Sequence, residues 1–319
     1  MSSWIWRAPP GPAERVEQLL GLLARQRARG VGRRTPTIDR VSDELAALGE
    51  AAVPALLERL EAVGNPACVA LARIGEPALP GVIAALTSGS RERRVLLLRT
   101  LGLSGLAGAV APLHEALDDS DPDVRAAARH ALERQAKIWT RRLRDGSRRD
   151  EAMRILAALG EPAAWPVVEL LRDVRLGLFA AQVLGQIGAP AVTPVILVLV
   201  EARRSLATDG EPVFSYAASA LAGIGAPAVD QLTYLLYDRR ESPAVRSGAA
   251  IALGRLGAAA LPALLDALQV NDVFVRMCAA SALGDVRGPA ASAALEAALA
   301  DPDGGVRAAV TAALGRLGR

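Results

Sequence analysis

LGEAAVPALLERL (48–60), IGEPALPGVIAAL (74–86), LGEPAAWPVVELL (159–171), IGAPAVTPVILVL (187–199), IGAPAVDQLTYLL (224–236) and LGAAALPALLDAL (256–268) are six versions of one phrase. Each opens on Leu or Ile and a Gly, passes through small residues that often include Pro, and ends in an apolar run. Self-similarity at a period of a few tens of residues is the mark of a repeat architecture. Core positions fall at 0, +3 and +7, with Val53, Leu56 and Leu60 as the template. Matching triplets begin at Leu79, Val110, Ala164, Val192, Val229, Leu261 and Ser292. The long gap between Val110 and Ala164 is filled by a degenerate copy, Ala136/Trp139/Leu143. Nine copies then follow one another at steps of 26, 31, 26, 28, 28, 37, 32 and 31 residues. That spacing predicts one apolar stripe per amphipathic helix.

The Gly of each phrase closes a preceding helix, where it can supply a positive φ. A Pro one or two residues later suits a first helical turn. The preceding helices read most clearly in DPDVRAAARHALERQ (121–135), ESPAVRSGAAIALGRLG (241–257), NDVFVRMCAASALGDVR (271–287) and DPDGGVRAAVTAALGRLG (301–318). Asp121, Ser242, Asn271 or Asp272, and Asp301 are the expected N-caps. Each repeat is thus a pair of antiparallel helices, a first helix before the Gly and a second after it. The expected fold is an all-α solenoid of about nine to ten such pairs over residues 37–319, preceded by a tail and capping helix in residues 1–36.

The run of Asp-Pro-Asp, Val-Arg, an Ala-rich helix, Leu-Gly, then Ala-Val-Pro and Leu resembles the short bacterial HEAT repeats of the phycobilisome-lyase type. The resemblance covers roughly residues 40–319. In similar solenoids the second helices line a concave groove; the expected function is a non-catalytic, cytoplasmic scaffold that binds protein on that face, with a bilin lyase-like enzyme subunit, which the resemblance implies, and a DNA- or RNA-binding array as alternatives.

Composition fits. Aromatic residues are only 3% of a chain that is 51% apolar, so the core is built of Ala, Leu and Val in thin helical layers. The formal charge of +3 is too small and too local for a general nucleic-acid binder, because residues 1–40 hold eight arginines against three acids. Cys68 and Cys278 have no metal or redox spacing and read as buried thiols in a reducing compartment. Met1–Pro12 carries Trp4, Trp6 and three prolines where a signal peptide needs an apolar core. Leu176–Val200 is uncharged and long enough to span a bilayer, but Gly185, Gly188, Pro190 and Pro194 break it into two expected helices.

Few residues promise chemistry. His114-Glu115 is the only His-Glu pair, and His130 is followed by Ala131. The chain resembles deoxyhypusine hydroxylase in expected fold but lacks the several His-Glu pairs of that di-iron enzyme. No metal, cofactor or catalytic constellation is expected. Arg125, Arg246, Arg276 and Arg307 recur at the Val-Arg step beside acids at helix starts, and in similar arrays such arginines tie neighbouring repeats together. Lys137, Arg141, Arg142, Arg144, Arg148 and Arg149 cluster around Trp139. HEAT-like DNA glycosylases resemble this arrangement in gripping a duplex, but Trp139 falls on a core position.

Helical geometry selects the surface candidates. At ~100° per residue, positions +1, +5 and +8 of each second helix share a face turned away from the core stripe. These positions hold Glu58, Glu61, Glu115, Asp118, Arg141, Arg144, Trp165, Glu169, Arg172, Leu197, Asp230, Tyr234, Tyr237 and Asp266, with Val200 beside Leu197. Mixed charge around Leu197, Val200, Tyr234 and Tyr237 favours a protein or peptide partner over nucleic acid. Arg203–Pro212 reads as a loop or helix extension, and Trp4 and Trp6 as a cap or docking element. The last helix, with Val306, Val310, Ala313, Leu314 and Leu317 on one side, offers a surface for self-association.

Overall fold

The computed structural model describes residues 11–28, 36–145, 148–204 and 210–318, and every regular element among them is helical. The expectations placed on Trp4 and Trp6 lie outside the described residues. The chain forms two compact units, residues 1–139 and 140–319.

The first unit opens with α1 (Pro12–Ala28). Its first helices are α2 (Pro36–Ala47), α5 (Asn65–Ile74), α7 (Arg91–Ser104) and α9 (Pro122–Leu143). Its second helices are α3 (Val53–Glu58), extended by α4 (Leu60–Val63), then α6 (Leu79–Leu86) and α8 (Val110–Glu115). α2 packs on α5 and α5 on α7. α7 meets α9 where a Cβ built on Gly102 would lie 2.7 Å from Cα of Ala131. Only glycine permits that approach.

The second unit repeats the plan. Its first helices are α10 (Arg149–Leu159), α12 (Gly177–Ile187), α14 (Gly210–Ile224), α16 (Pro243–Leu256), α18 (Val273–Leu283) and α20 (Gly304–Leu317), each packed on the next. The second helices are α11 (Glu161–Val168), α13 (Val192–Arg204), α15 (Val229–Tyr237), α17 (Leu261–Ala267) and α19 (Pro289–Ala297). Small residues again set the first-helix spacing, as at Gly185 against Gly223 and Gly254 against Ala282. The expected α-solenoid is thus present as eight helix pairs among the described residues, with α9 in the place of a ninth. Gly188 and Gly225 make the turns between helices at φ of 78° and 77°, a region costly for any residue with a Cβ.

The degenerate copy is a correction. Ala136, Trp139 and Leu143 are buried, but they continue α9 for 22 residues and do not form a separate second helix. ALERQAKIWT holds no Gly or Pro to end the helix, so it runs on. Trp139 is 1% exposed and donates from Nε1 to Oε1 of Gln135 at 3.0 Å, while Nε2 of Gln135 donates to the Leu101 carbonyl at 2.6 Å.

Other expectations shift by a residue or a face. Ser242 and Asp272 cap α16 and α18, accepting from the amides of Val245 and of Phe274 and Val275. α20 is capped by Asp303, not Asp301: it begins at Gly304, which leaves Asp301 upstream and within reach of Arg276. Around Arg203–Pro212, α13 extends to Arg204 and α14 begins at Gly210, with residues 205–209 outside the description. Val306, Val310 and Ala313 are fully buried in a helix packed on α18, which removes them from any self-association surface; Leu314 and Leu317 stay half-exposed.

Leu176–Val200 is two helices, α12 and α13, parted at Gly188. By length and composition one described run, Pro243–Ala267, could cross a membrane. It comprises α16 and α17 about the positive-φ Gly257, and half of its most apolar window is buried within the fold.

Candidate protein-binding surface on the second helices

Three large apolar side chains are more than half exposed on the second helices of residues 140–319. Trp165 on α11 is 56% exposed, Leu197 on α13 is 53% and Tyr234 on α15 is 60%. Their helices are consecutive. α11 packs on α13, and the side chains of Thr193 and Gln231 join α13 to α15 at 3.3–3.4 Å. The core stripe explains the exposure: Ala164 and Val167 of α11 and Leu171 of the 3-10 turn that follows it are buried, so Trp165 and Glu169 face outward. Val192, Val195 and Leu199 impose the same on Leu197, and Leu232 and Leu236 on Tyr234. Leu299, expected in the core of the Ser292 triplet, is instead 45% exposed just past α19, where Ala291 and Leu295 are the buried residues.

Val200 departs from the expected face. It is buried, because the longer α13 packs on both α14 and α16. Tyr237 is half-buried; burial, and then the charge of Asp266, push its hydroxyl above the usual tyrosine value. Asp266 on α17 is itself exposed, as is Asp230 on α15.

Charge pairs frame this surface. Arg172 bonds Glu169 at 2.8 Å and reaches Glu201 of α13 at 2.5 Å. Arg240 donates to the Tyr234 hydroxyl at 2.9 Å and to Asp238 at 3.0 Å. Hydrogen bonds from the Arg240 side chain and then from its amide hold the Asp238 carboxyl below the usual range.

The remaining surface candidates separate. Arg141 and Arg144, at the end of α9, are exposed without a carboxylate partner among the described residues. Arg148 pairs with Glu151 at 3.3 Å, and Arg149 lies over the Phe179 ring at 4.5 Å. In the first unit Glu58, Glu61, Glu115 and Asp118 are all exposed, and Glu61 accepts from Ser90.

The repeated arginines do two different things. Arg246 donates to the Leu236 carbonyl at 2.9 Å and to Asp272 of the next first helix at 3.1 Å. Arg276 makes a bidentate contact with Asp301 at 2.8 and 3.0 Å, and donates to the Val270 carbonyl at 2.9 Å. Hydrogen bonding from Arg276 holds Asp301 below the ordinary carboxylate value. At Asp272 burial acts upward, but the Val275 amide and Arg246 outweigh it and the net shift is downward. Arg125 and Arg307 instead bond carbonyls of their own incoming turns, at Asp119 and Ser120 and at Asp301 and Pro302. Arg94, paired with Asp119, does in the first unit what Arg246 does in the second. The Val-Arg pattern overlooks it, because Arg94 precedes its Val; its place four residues after the cap Ser90 is the better signal.

Among the described residues no group of three or more His, Cys, Asp and Glu side chains could hold a metal ion. His130 is exposed, whereas His114 is half-buried, with no partner for its Nε2. Cys68 and Cys278 are buried free thiols; burial raises both, Cys278 to about 11.

In sequence, the family model for HEAT repeats matches residues 79–138, 205–274 and 239–315, more than half of the chain. The chain belongs to the HEAT-repeat family. Among solved structures, this HEAT-repeat chain is similar to an engineered protein at 21% identity, covering 96% of this chain and 99% of that one, with a TM-score of 0.29. It is similar to human deoxyhypusine hydroxylase in complex with glycerol at 23% identity, covering 84% and 96%, with a TM-score of 0.29. It is also similar to Kap121p bound to Pho4p at 14% identity, covering 95% of this chain and 46% of that one, with a TM-score of 0.28. No curated protein matches it in sequence.

Proposed function

We propose that this HEAT-repeat protein is a non-catalytic scaffold that binds another protein or peptide through the second-helix face of residues 140–319. One observation carries the reading: Trp165, Leu197 and Tyr234 are each more than half exposed on three consecutive helices of an aromatic-poor chain. Tyr and Trp supply a disproportionate share of binding energy at protein interfaces. The surrounding pairs, Arg172 with Glu169 and Glu201, and Arg240 with Asp238, supply a polar rim of both signs, which sets register and suits a partner of mixed charge. In this reading the protein works in a reducing cytoplasm, which suits two buried free thiols.

The test is affinity capture from source-organism lysate with wild type and Trp165→Ala/Tyr234→Ala, at matched helicity. Each truncation at a hot spot costs about 2 kcal/mol or more, so the double variant is expected to lose the captured protein. Equal capture by both proteins contradicts the assignment.

A second reading rests on Arg141 and Arg144, exposed and without a carboxylate partner among the described residues. If they hold phosphates, binding of a DNA or RNA oligonucleotide falls steeply with salt and is lost in Arg141→Gln/Arg144→Gln. Salt-independent binding, or binding unchanged in the variant, removes this reading.

A further inference from the structure

The first helices of residues 1–139 carry a groove of about 880 Å³ that the protein-binding reading does not use. It crosses α2, α5, α7 and α9. Val69, Leu96 and Leu103 give it an apolar lining, and Arg99 of α7 and Arg134 of α9 also line it. α7 and α9 are in direct contact at Gly102 and Ala131, so the two arginines arise from adjacent helices. Arg73 and Asp39 also line the groove, but Arg73 is already paired with Asp43.

Arg99, exposed, and Arg134, half-buried, have no carboxylate or carbonyl partner among the described residues. For Arg134 this is a departure from the repeat. Arg134, Arg255 and Arg316 all stand thirteen residues after the residue at the start of their helix, Asp121, Ser242 and Asp303. Arg255 donates to the Ser215 carbonyl of the preceding first helix at 3.1 Å, and Arg316 to the Ser281 carbonyl at 2.7 Å. Where its two counterparts are taken up by the neighbouring backbone, Arg134 lines the groove.

We propose that this groove binds a small amphiphilic anion: an aliphatic chain ending in a carboxylate. The volume lies within the range of small-molecule sites, about 300–1,000 Å³. The half-buried Val69, Leu96 and Leu103 suit an aliphatic body. Guanidinium forks match a carboxylate in geometry and stay charged at any physiological pH. Neither half of such a ligand suffices alone. A bare inorganic anion leaves the apolar wall unused, and a neutral chain leaves two guanidiniums unpaired. The site lies in a different unit from Trp165, Leu197 and Tyr234, so it stands or falls independently of the scaffold reading.

The experiment is isothermal titration calorimetry of the full chain with octanoate, and in parallel with octanol and with inorganic phosphate. Two variants are compared at matched helicity: Arg99→Gln/Arg134→Gln, and Arg154→Gln/Arg287→Gln, which removes the same charge from exposed positions elsewhere. The proposal expects saturable octanoate binding, with octanol and phosphate each weaker by about tenfold or more. It expects Arg99→Gln/Arg134→Gln to weaken octanoate by about tenfold, and the other variant to change it less than about twofold. It is overturned if octanoate does not saturate, if octanol or phosphate binds equally well, or if the two variants behave alike.

Discussion

Gly284 and Gly315 both follow Leu near the end of a first helix, yet they meet opposite surroundings. A Cβ on Gly284 would lie 2.9 Å from Cα of Ala313, whereas one on Gly315 would meet nothing within 4 Å. Gly284→Ala should destabilise by about 1–3 kcal/mol through overpacking. Gly315→Ala should stabilise by up to about 1 kcal/mol, because glycine is the poorer helix former. Urea unfolding at neutral pH checks both signs. The Arg276–Asp301 pair gives a pH prediction at the same scale. Asp301 is depressed in the folded state, so its pairing stabilises fully above the ordinary aspartate value of 3.8. The contribution disappears as pH falls through the depressed value. Arg276→Gln should therefore lower the urea midpoint at pH 7, and the gap to wild type should close as pH is lowered below 3.8. A gap independent of pH would show that Arg276 acts only through the Val270 carbonyl. Neither effect is legible in sequence alone. The Leu-Gly pair marks a helix end but not the neighbour it meets, and Asp301 reads as a cap until the start of α20 is known.

At the scale of the element, the repeated phrase located six of the second helices because Gly and Pro punctuate it, and its core triplet located α8 and α19. It failed at Ala136–Leu143 for want of both, and the chain kept to one long helix, α9. The polar residue that makes this tolerable, Gln135, is fully buried and looks in sequence like an ordinary surface position. Its side chain satisfies Trp139 Nε1 and the Leu101 carbonyl together. Gln135→Met keeps the volume but removes both bonds; the Leu101 carbonyl still accepts from Ser104 Oγ at 2.8 Å, so the expected cost is about 1–3 kcal/mol, that of the one buried indole N–H that loses its Gln135 acceptor. Thermal unfolding followed by circular dichroism measures it; an unchanged midpoint would mean that water replaces the amide. The exposed anchors were legible for a simple reason. With 0, +3 and +7 committed to the core, +1 and +5 face outward, as Trp165, Leu197 and Tyr234 do. Val200 was misread because α13 outlasts its phrase and packs on two further helices. The groove at Arg99 and Arg134 was not legible at all, because it depends on hydrogen bonds that these arginines do not make.

At the scale of the molecule, each helix pair meets mainly its neighbours in the stack, so surface side chains can change without cost to the core of another repeat. That separation is what permits a row of exposed apolar residues on the second helices. The direct test of the scaffold account is a photo-crosslinking amino acid placed at Leu197 in one protein and at Leu178 in another. Both side chains are more than half exposed, at 53% and 54%, but Leu197 belongs to a second helix and Leu178 to a first. The account predicts a discrete crosslinked partner band from position 197 that Tyr234→Ala abolishes, and none from position 178. The same band from both positions, or from 178 alone, would contradict it.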